Sequence, residues 1–150
     1  MRHRPGAVLA LIAGMMLVPA AQASTGPQAT VSVTVTNLRS AKGKVLACLT
    51  TREDAFPDCE KDPLARKLTV PASAEVHLDF GPVPAGRYAV SLIHDENGNG
   101  KLDTRLMIPR EGYGFSLDAP VRMGPPKFER AAFTVEGEPI RLAIRMRYLL

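Results

Sequence analysis

The stretch Ile140-Arg141-Leu142-Ala143-Ile144-Arg145-Met146-Arg147-Tyr148 decides the fold. Apolar side chains stand at every second position, at Ile140, Leu142, Ile144, Met146 and Tyr148. Arg141, Arg145 and Arg147 fill the gaps between them. A period of two is the geometry of a strand, whose successive Cβ atoms point to opposite faces. The stretch therefore predicts a strand with one face in a core and a basic face in water. Such a charged row also discourages edge-to-edge pairing if the strand lies at a sheet edge.

The same period recurs upstream. Val31, Val33 and Val35 alternate with Ser32, Thr34 and Thr36, which predicts a half-buried strand over Thr30–Leu38. Lys44–Thr50 reads as a second strand, and the turn residues Ser40, Lys42 and Gly43 predict a hairpin between the two. Arg52–Lys67, broken by Pro57 and Pro63, reads as a loop with one short helical turn, with Phe56 plugging the core edge. Further strands are expected at Lys67–Val70, around Val76, Leu78 and Phe80, over Arg87–Ile93 (the most apolar of them) and at Ala131–Val135. Gly81-Pro82-Val83-Pro84-Ala85-Gly86 reads as a turn that ends its ladder. Thr104–Lys127 has no regular pattern, and so long a connection is usually functional or tied down. Short strands with Gly/Pro turns and no helical period predict an all-β chain, a single antiparallel β-sandwich of about seven strands.

The chain begins with Arg2, His3 and Arg4, then an apolar run from Ala7 to Val18, then Ala21-Gln22-Ala23. This is the pattern of a secretory signal peptide over residues 1–23, cut before Ser24, with residues 24–150 as the mature domain. The expected location is periplasmic or secreted, with no transmembrane segment in the mature chain. Export favours a disulfide between Cys48 and Cys59, against a buried thiol at Cys48 with an unrelated Cys59. The formal net charge is +4, part of it from Arg2 and Arg4. So mild a balance, with no Trp and 5% aromatic residues, argues against nucleic acid as a partner.

His94-Asp95-Glu96-Asn97-Gly98-Asn99-Gly100-Lys101-Leu102-Asp103 follows the most apolar strand. Its oxygen side chains fall at Asp95, Asn97, Asn99 and Asp103, the spacing by which an EF-hand-type loop curls around a hard cation. Lys101 would add its backbone carbonyl. The bidentate Glu of such loops is missing, Leu106 standing in its place, so Glu111 or water would complete the shell. Weak structural calcium binding is one reading. The other is a bare turn, because Asn-Gly pairs tolerate positive φ and Asp and Asn bond their own backbone without metal.

Gly86-Arg87-Tyr88-Ala89-Val90, the His94–Asp103 run, and Pro109-Arg110-Glu111-Gly112-Tyr113-Gly114-Phe115-Ser116 together resemble one family. Gly124-Pro125-Pro126-Lys127-Phe128 followed by Ala131-Ala132-Phe133 also fits it. It is the exported bacterial domain-of-unknown-function family 2141, and the resemblance runs from Val31 to Tyr148. It implies a small exported sandwich of immunoglobulin-like or transthyretin-like type and no activity. The expected function is a non-catalytic binding or structural module of the cell envelope, with an envelope ligand or protein as partner. The alternative is a periplasmic hydrolase-like enzyme using His94 and Glu111, with Ser116 as a hydroxyl. Tyr113 and Phe115, flanked by glycines, read either as a ligand surface or as cover for the end of the sandwich.

Overall fold

A computed structural model describes residues 26–150. The signal-peptide reading over residues 1–23 and the cleavage before Ser24 lie outside the described residues. Ten strands follow one another: β1 Gln28–Thr36, β2 Lys44–Thr50, β3 Arg66–Pro71, β4 Val76–Pro84, β5 Gly86–Asp95, β6 Thr104–Arg105, β7 Ile108–Pro109, β8 Gly112–Phe115, β9 Phe133–Val135 and β10 Ile140–Arg145. Short 3₁₀ turns lie at Glu53–Ala55 and Ser116–Asp118, and one helical turn, α1, at Phe128–Ala131.

The strands form a β-sandwich. One sheet has three strands in the order β10-β1-β4. The other has five, in the order β3-β2-β5-β8 with β9 also on β5, and β6 and β7 make a separate hairpin. Val31, Val33 and Val35 of β1, Leu78 and Phe80 of β4 and Ile144 of β10 face inward. They meet Val45, Ala47 and Leu49 of β2 and Val90 and Leu92 of β5. The alternation of the final strand is as expected: Ile144 and Met146 are fully buried, and Arg141, Arg145 and Arg147 are exposed.

Three expectations are corrected. β1 and β2 do not form a hairpin, because both edges of β1 are taken, by β10 and β4, and the chain crosses to the other sheet after Thr36. The sandwich is mostly antiparallel, but β1 and β10 run parallel, Val31 opposite Ile140 through Thr36 opposite Arg145. The chain reaches β10 by crossing from β9 in the other sheet, so no hairpin dictates its direction. Gly81–Pro84 does not end the ladder. The β1–β4 pairing continues to Gln28 opposite Pro84 after an irregularity between Thr30 and Ser32. Prolines fit there because β4 is an edge strand and the bulge takes up the break.

β8 lies inside the stretch that shows no pattern in the sequence. Gly112 and Gly114 look like breakers, yet both are in the strand because another chain segment comes close. A Cβ on Gly112 would lie 2.5 Å from Cε1 of Tyr148, and one on Gly114 would lie 2.8 Å from Cγ2 of Ile144. Just beyond β10, Tyr113 N–H donates to the Arg147 carbonyl at 3.0 Å and Arg147 N–H to the Tyr113 carbonyl at 2.9 Å. The two sheets are thus laced together on this side.

β5 has β2 on one edge and, on the other, β9 along Gly86–Tyr88 and then β8 along Ser91–His94. Between those two partners Val90 has no opposing strand. The Ser116 hydroxyl fills the gap: it accepts the Val90 N–H at 2.9 Å and donates to the Ala131 carbonyl at 2.5 Å.

Gly112→Ala is expected to destabilise the fold by about 1–3 kcal/mol, because the new methyl group meets a packed ring. Arg141→Glu, on the solvent face of β10, is expected to stay within about 0.5 kcal/mol. Urea unfolding of both variants reads the two effects, and equal losses would contradict the close approach of β8 to Tyr148.

Candidate functional site

β5 is buried along nearly its whole length and ends by delivering His94 and Asp95 into the oxygen-rich loop. His94 is 0% exposed. Its Nε2 lies 2.8 Å from the Lys42 carbonyl, which only accepts, so Nε2 carries the hydrogen. Its Nδ1, 2.8 Å from the Tyr148 hydroxyl, then accepts from that group. The same hydroxyl accepts the Arg39 N–H at 3.1 Å. This chain of bonds ties the start of the loop to β10's extension and to the crossing between β1 and β2.

Asp95 is 1% exposed and acts as the loop's anchor. Its Oδ1 accepts the N–H of Gly98 at 2.8 Å and of Asn99 at 3.1 Å, and its Oδ2 accepts that of Gly100 at 2.7 Å. Asn97 and Asn99 turn their Oδ1 atoms to the N–H groups of Asn99 and Lys101. Their amide N–H groups donate to the two oxygens of Asp103. Glu111, 4% exposed, accepts the Glu96 N–H at 2.9 Å and the Asp103 N–H at 3.0 Å. The expected donors are therefore together, but each oxygen named here already holds an N–H. Among the described residues no group of three or more His, Cys, Asp or Glu is arranged to hold a metal.

Charge fixes the loop from outside. Arg39 donates to the Glu96 carboxylate through Nε at 3.0 Å and Nη2 at 2.5 Å, and lies 4.5 Å from the centroid of the Tyr148 ring. The hydrogen bond from Arg39 holds the Glu96 carboxyl below its ordinary value, against the opposing effect of burial. Hydrogen bonds from Asn99 and Asn97 do the same for Asp103.

A second feature lies on the outer face of the five-stranded sheet. Part of that face is covered by Phe56, Phe128, Ala119 and Ala131, which pack on Ala89, Tyr113 and Phe115. Phe56 stands 5.7 Å from Phe115 and 6.0 Å from Phe128, ring centre to ring centre. Tyr113 and Phe115 are thus mostly cover, at 5% and 7% exposure, yet both also border a trough of about 1040 Å³ over the uncovered part. Leu46, Thr69, Ser91 and Ile93 form its floor. Pro57, Asp58 and Glu60 wall one side, held by the Cys48–Cys59 disulfide, whose Cα atoms are 6.4 Å apart. Leu102, the β6–β7 hairpin and the Val121–Pro125 segment form the other walls. Sequence reasoning missed this trough. Its one signal was Leu106-Met107-Ile108, an apolar run inside a stretch with no pattern.

The Glu96–Arg39 bond makes stability depend on pH. The folded-state value of Glu96 lies below its reference of 4.5, so the stabilisation is present above that pH and is lost as the pH falls through the folded value. Between about pH 5 and about pH 3 the wild-type melting temperature is expected to fall more than that of Glu96→Gln. Parallel melting profiles for the two proteins would rule the bond out as a contributor.

Residues 33–142 match a family described as "Uncharacterized protein conserved in bacteria (DUF2141)". Neither a curated protein nor a solved structure matches the chain. No helix among the described residues is long and apolar enough to cross a membrane. The matched segment takes in strands of both sheets, the oxygen-rich loop and all of the trough's lining but Leu149, and on that extent the chain belongs to the DUF2141 family.

Proposed function

We propose that the chain is an exported, non-catalytic binding module, an immunoglobulin-like or transthyretin-like sandwich whose trough seats an apolar ligand of the cell envelope. The observation that carries this reading is the trough itself, about 1040 Å³ with an apolar floor at Leu46 and Ile93 and apolar walls at Leu106, Met107, Ile108 and Met123. Its size and lining suit a small apolar molecule or an acyl chain. Ligand pockets of this kind need few polar groups; here Thr69 supplies one on the floor, the Ser91 hydroxyl donates to the Pro57 carbonyl, and Asp58, Glu60, Lys67 and Lys101 stand at the sides.

The hydrolase-like alternative needs His94 and Glu111 within reach of a substrate. His94 has both ring nitrogens on protein partners, and both Glu111 oxygens hold backbone N–H groups. The Ser116 hydroxyl bridges Val90 and Ala131. These bonds support the non-catalytic reading.

A fluorescent apolar dye, 1-anilinonaphthalene-8-sulfonate, is expected to bind the wild type and to be displaced by a saturated fatty acid. Leu46→Trp fills the floor from a half-buried position and is expected to weaken dye binding by about tenfold without lowering the melting temperature. Equal binding by wild type and Leu46→Trp would sink the trough as the seat.

Calcium binding at Asp95, Asn97, Asn99, Lys101 and Asp103, with Glu111 as an extra ligand, is part of the same proposal. The oxygen spacing supports it. A cation would take the place of the Asn97 and Asn99 amide N–H groups at Asp103, which requires both amides to rotate and give up their present acceptor roles. That cost fits weak affinity, about 10⁻⁴–10⁻³ M. Millimolar calcium is expected to raise the wild-type melting temperature by a few degrees over chelator, and not that of Asp95→Ala plus Asp103→Ala. A wild-type curve indifferent to calcium would leave the self-capped turn alone.

A further inference from the structure

Three of the most exposed apolar side chains stand together at the rim of the trough: Leu106 at 89%, Met107 at 93% and Met123 at 108%. Each sits on left-handed backbone, at φ 49°, 65° and 54°. Leu106 and Met107 are the two central residues of the β6–β7 hairpin, whose register pairs Arg105 with Ile108. A two-residue turn with positive φ at both positions favours Asn-Gly. This chain puts two large apolar residues there and leaves them in water. The choice is unfavourable for the turn and for solvation alike, which is what a contact surface shows before its partner arrives.

Charge says what that partner is. Arg105 adjoins the hairpin tip, Arg110 stands at the hairpin's base opposite Asp103, and Arg122 precedes Met123; all three are exposed. Among the described residues none of the three is in an ion pair. Asp103, the carboxylate close to Arg110, has its oxygens on the Asn97 and Asn99 amides. Apolar tips with unpaired arginines on the same segments complement a layered surface, anionic outside and apolar beneath, because arginine keeps its charge at the phosphate level while its neighbours enter the acyl boundary.

We propose that the hairpin tip and the Met123 segment dock this protein onto an anionic lipid bilayer. Leu106, Met107 and Met123 insert, and Arg105, Arg110 and Arg122 hold lipid phosphates. The surface goes beyond the trough reading: its apolar tips are shared with the trough's walls, and its three arginines lie outside the trough's lining.

Co-sedimentation with vesicles tests it, using phosphatidylcholine alone and phosphatidylcholine with phosphatidylglycerol. Every variant carries the same amino-terminal segment, so differences between variants report the tips. The wild type is expected to prefer the anionic vesicles. Arg105→Glu, Arg110→Glu and Arg122→Glu together are expected to weaken that binding on the order of a hundredfold. Leu106→Ser, Met107→Ser and Met123→Ser together are expected to weaken it by about tenfold or more. Met123→Ser alone alters a fully exposed side chain and is expected to weaken binding measurably with an unchanged melting curve. Wild-type affinity in both triple variants, or no preference of the wild type for anionic vesicles, would overturn the proposal. So would a wild-type dimer lost in the serine variants without any change in vesicle binding, since the tips would then be a self-association face. The triple arginine variant changes no residue that lines the trough, so its loss of vesicle binding with dye binding retained separates this surface from the trough.

Discussion

A hydrophobic layer lies on each face of β5, and the rest of the structure follows from serving both. Val90 and Leu92 point into the sandwich against β1 and β4, while Ala89 points outward beneath Phe115 and Phe128. A strand buried on both faces needs every backbone group satisfied inside the protein, since water cannot reach them. β2, β8 and β9 supply most of the partners, and the Ser116 hydroxyl closes the one gap at Val90. The same demand reaches the end of the strand. His94 and Asp95 are nearly inaccessible, so their polar atoms bind Lys42, Tyr148 and the N–H groups of the following loop. The loop's order is therefore an extension of the core.

The outer layer is incomplete. Phe56, Phe128 and Ala131 cover the part of the sheet nearest β8 and β9, and the disulfide draws the Pro57–Glu60 segment over the strand below it. Leu46 and Ile93 are left half-covered at the bottom of the trough. A sheet face that is apolar but not closed over costs solvation free energy in the unbound protein, at about 25 cal/mol per Å² of apolar surface. That cost is the physical basis for reading the trough as a seat. The apolar rim beside it extends the same unpartnered surface outward.

Much of the fold was legible. The period of two over Val31–Thr36 and Ile140–Tyr148 placed two strands and their buried faces, and the apolar run Arg87–Ile93 marked the strand with two covered faces. Local signals failed where the controlling contact was distant. Gly112 and Gly114 read as breakers because Tyr148 and Ile144, which make glycine necessary there, are far away in sequence. Pro82 and Pro84 read as a stop because edge position is a property of the whole sheet. The parallel pairing of β1 with β10 likewise depends on a crossing between sheets, which no local pattern records. At the site, the oxygen spacing from Asp95 to Asp103 marked residues that bond one another in the folded loop, and spacing alone is compatible with a cation shell and with a self-bonded turn. The trough was hidden because its walls come from three separate stretches of chain.

On the proposed reading, the uncovered outer face of the five-stranded sheet receives an apolar ligand. Backbone amide shifts measured by NMR during titration with a soluble medium-chain fatty acid test it most directly. Saturable shifts are expected at Leu46, Thr69, Ser91, Ile93 and the β6–β7 hairpin, with β1, β4 and β10 unmoved. Shifts confined to the three-stranded sheet, or no shifts at all, would contradict it.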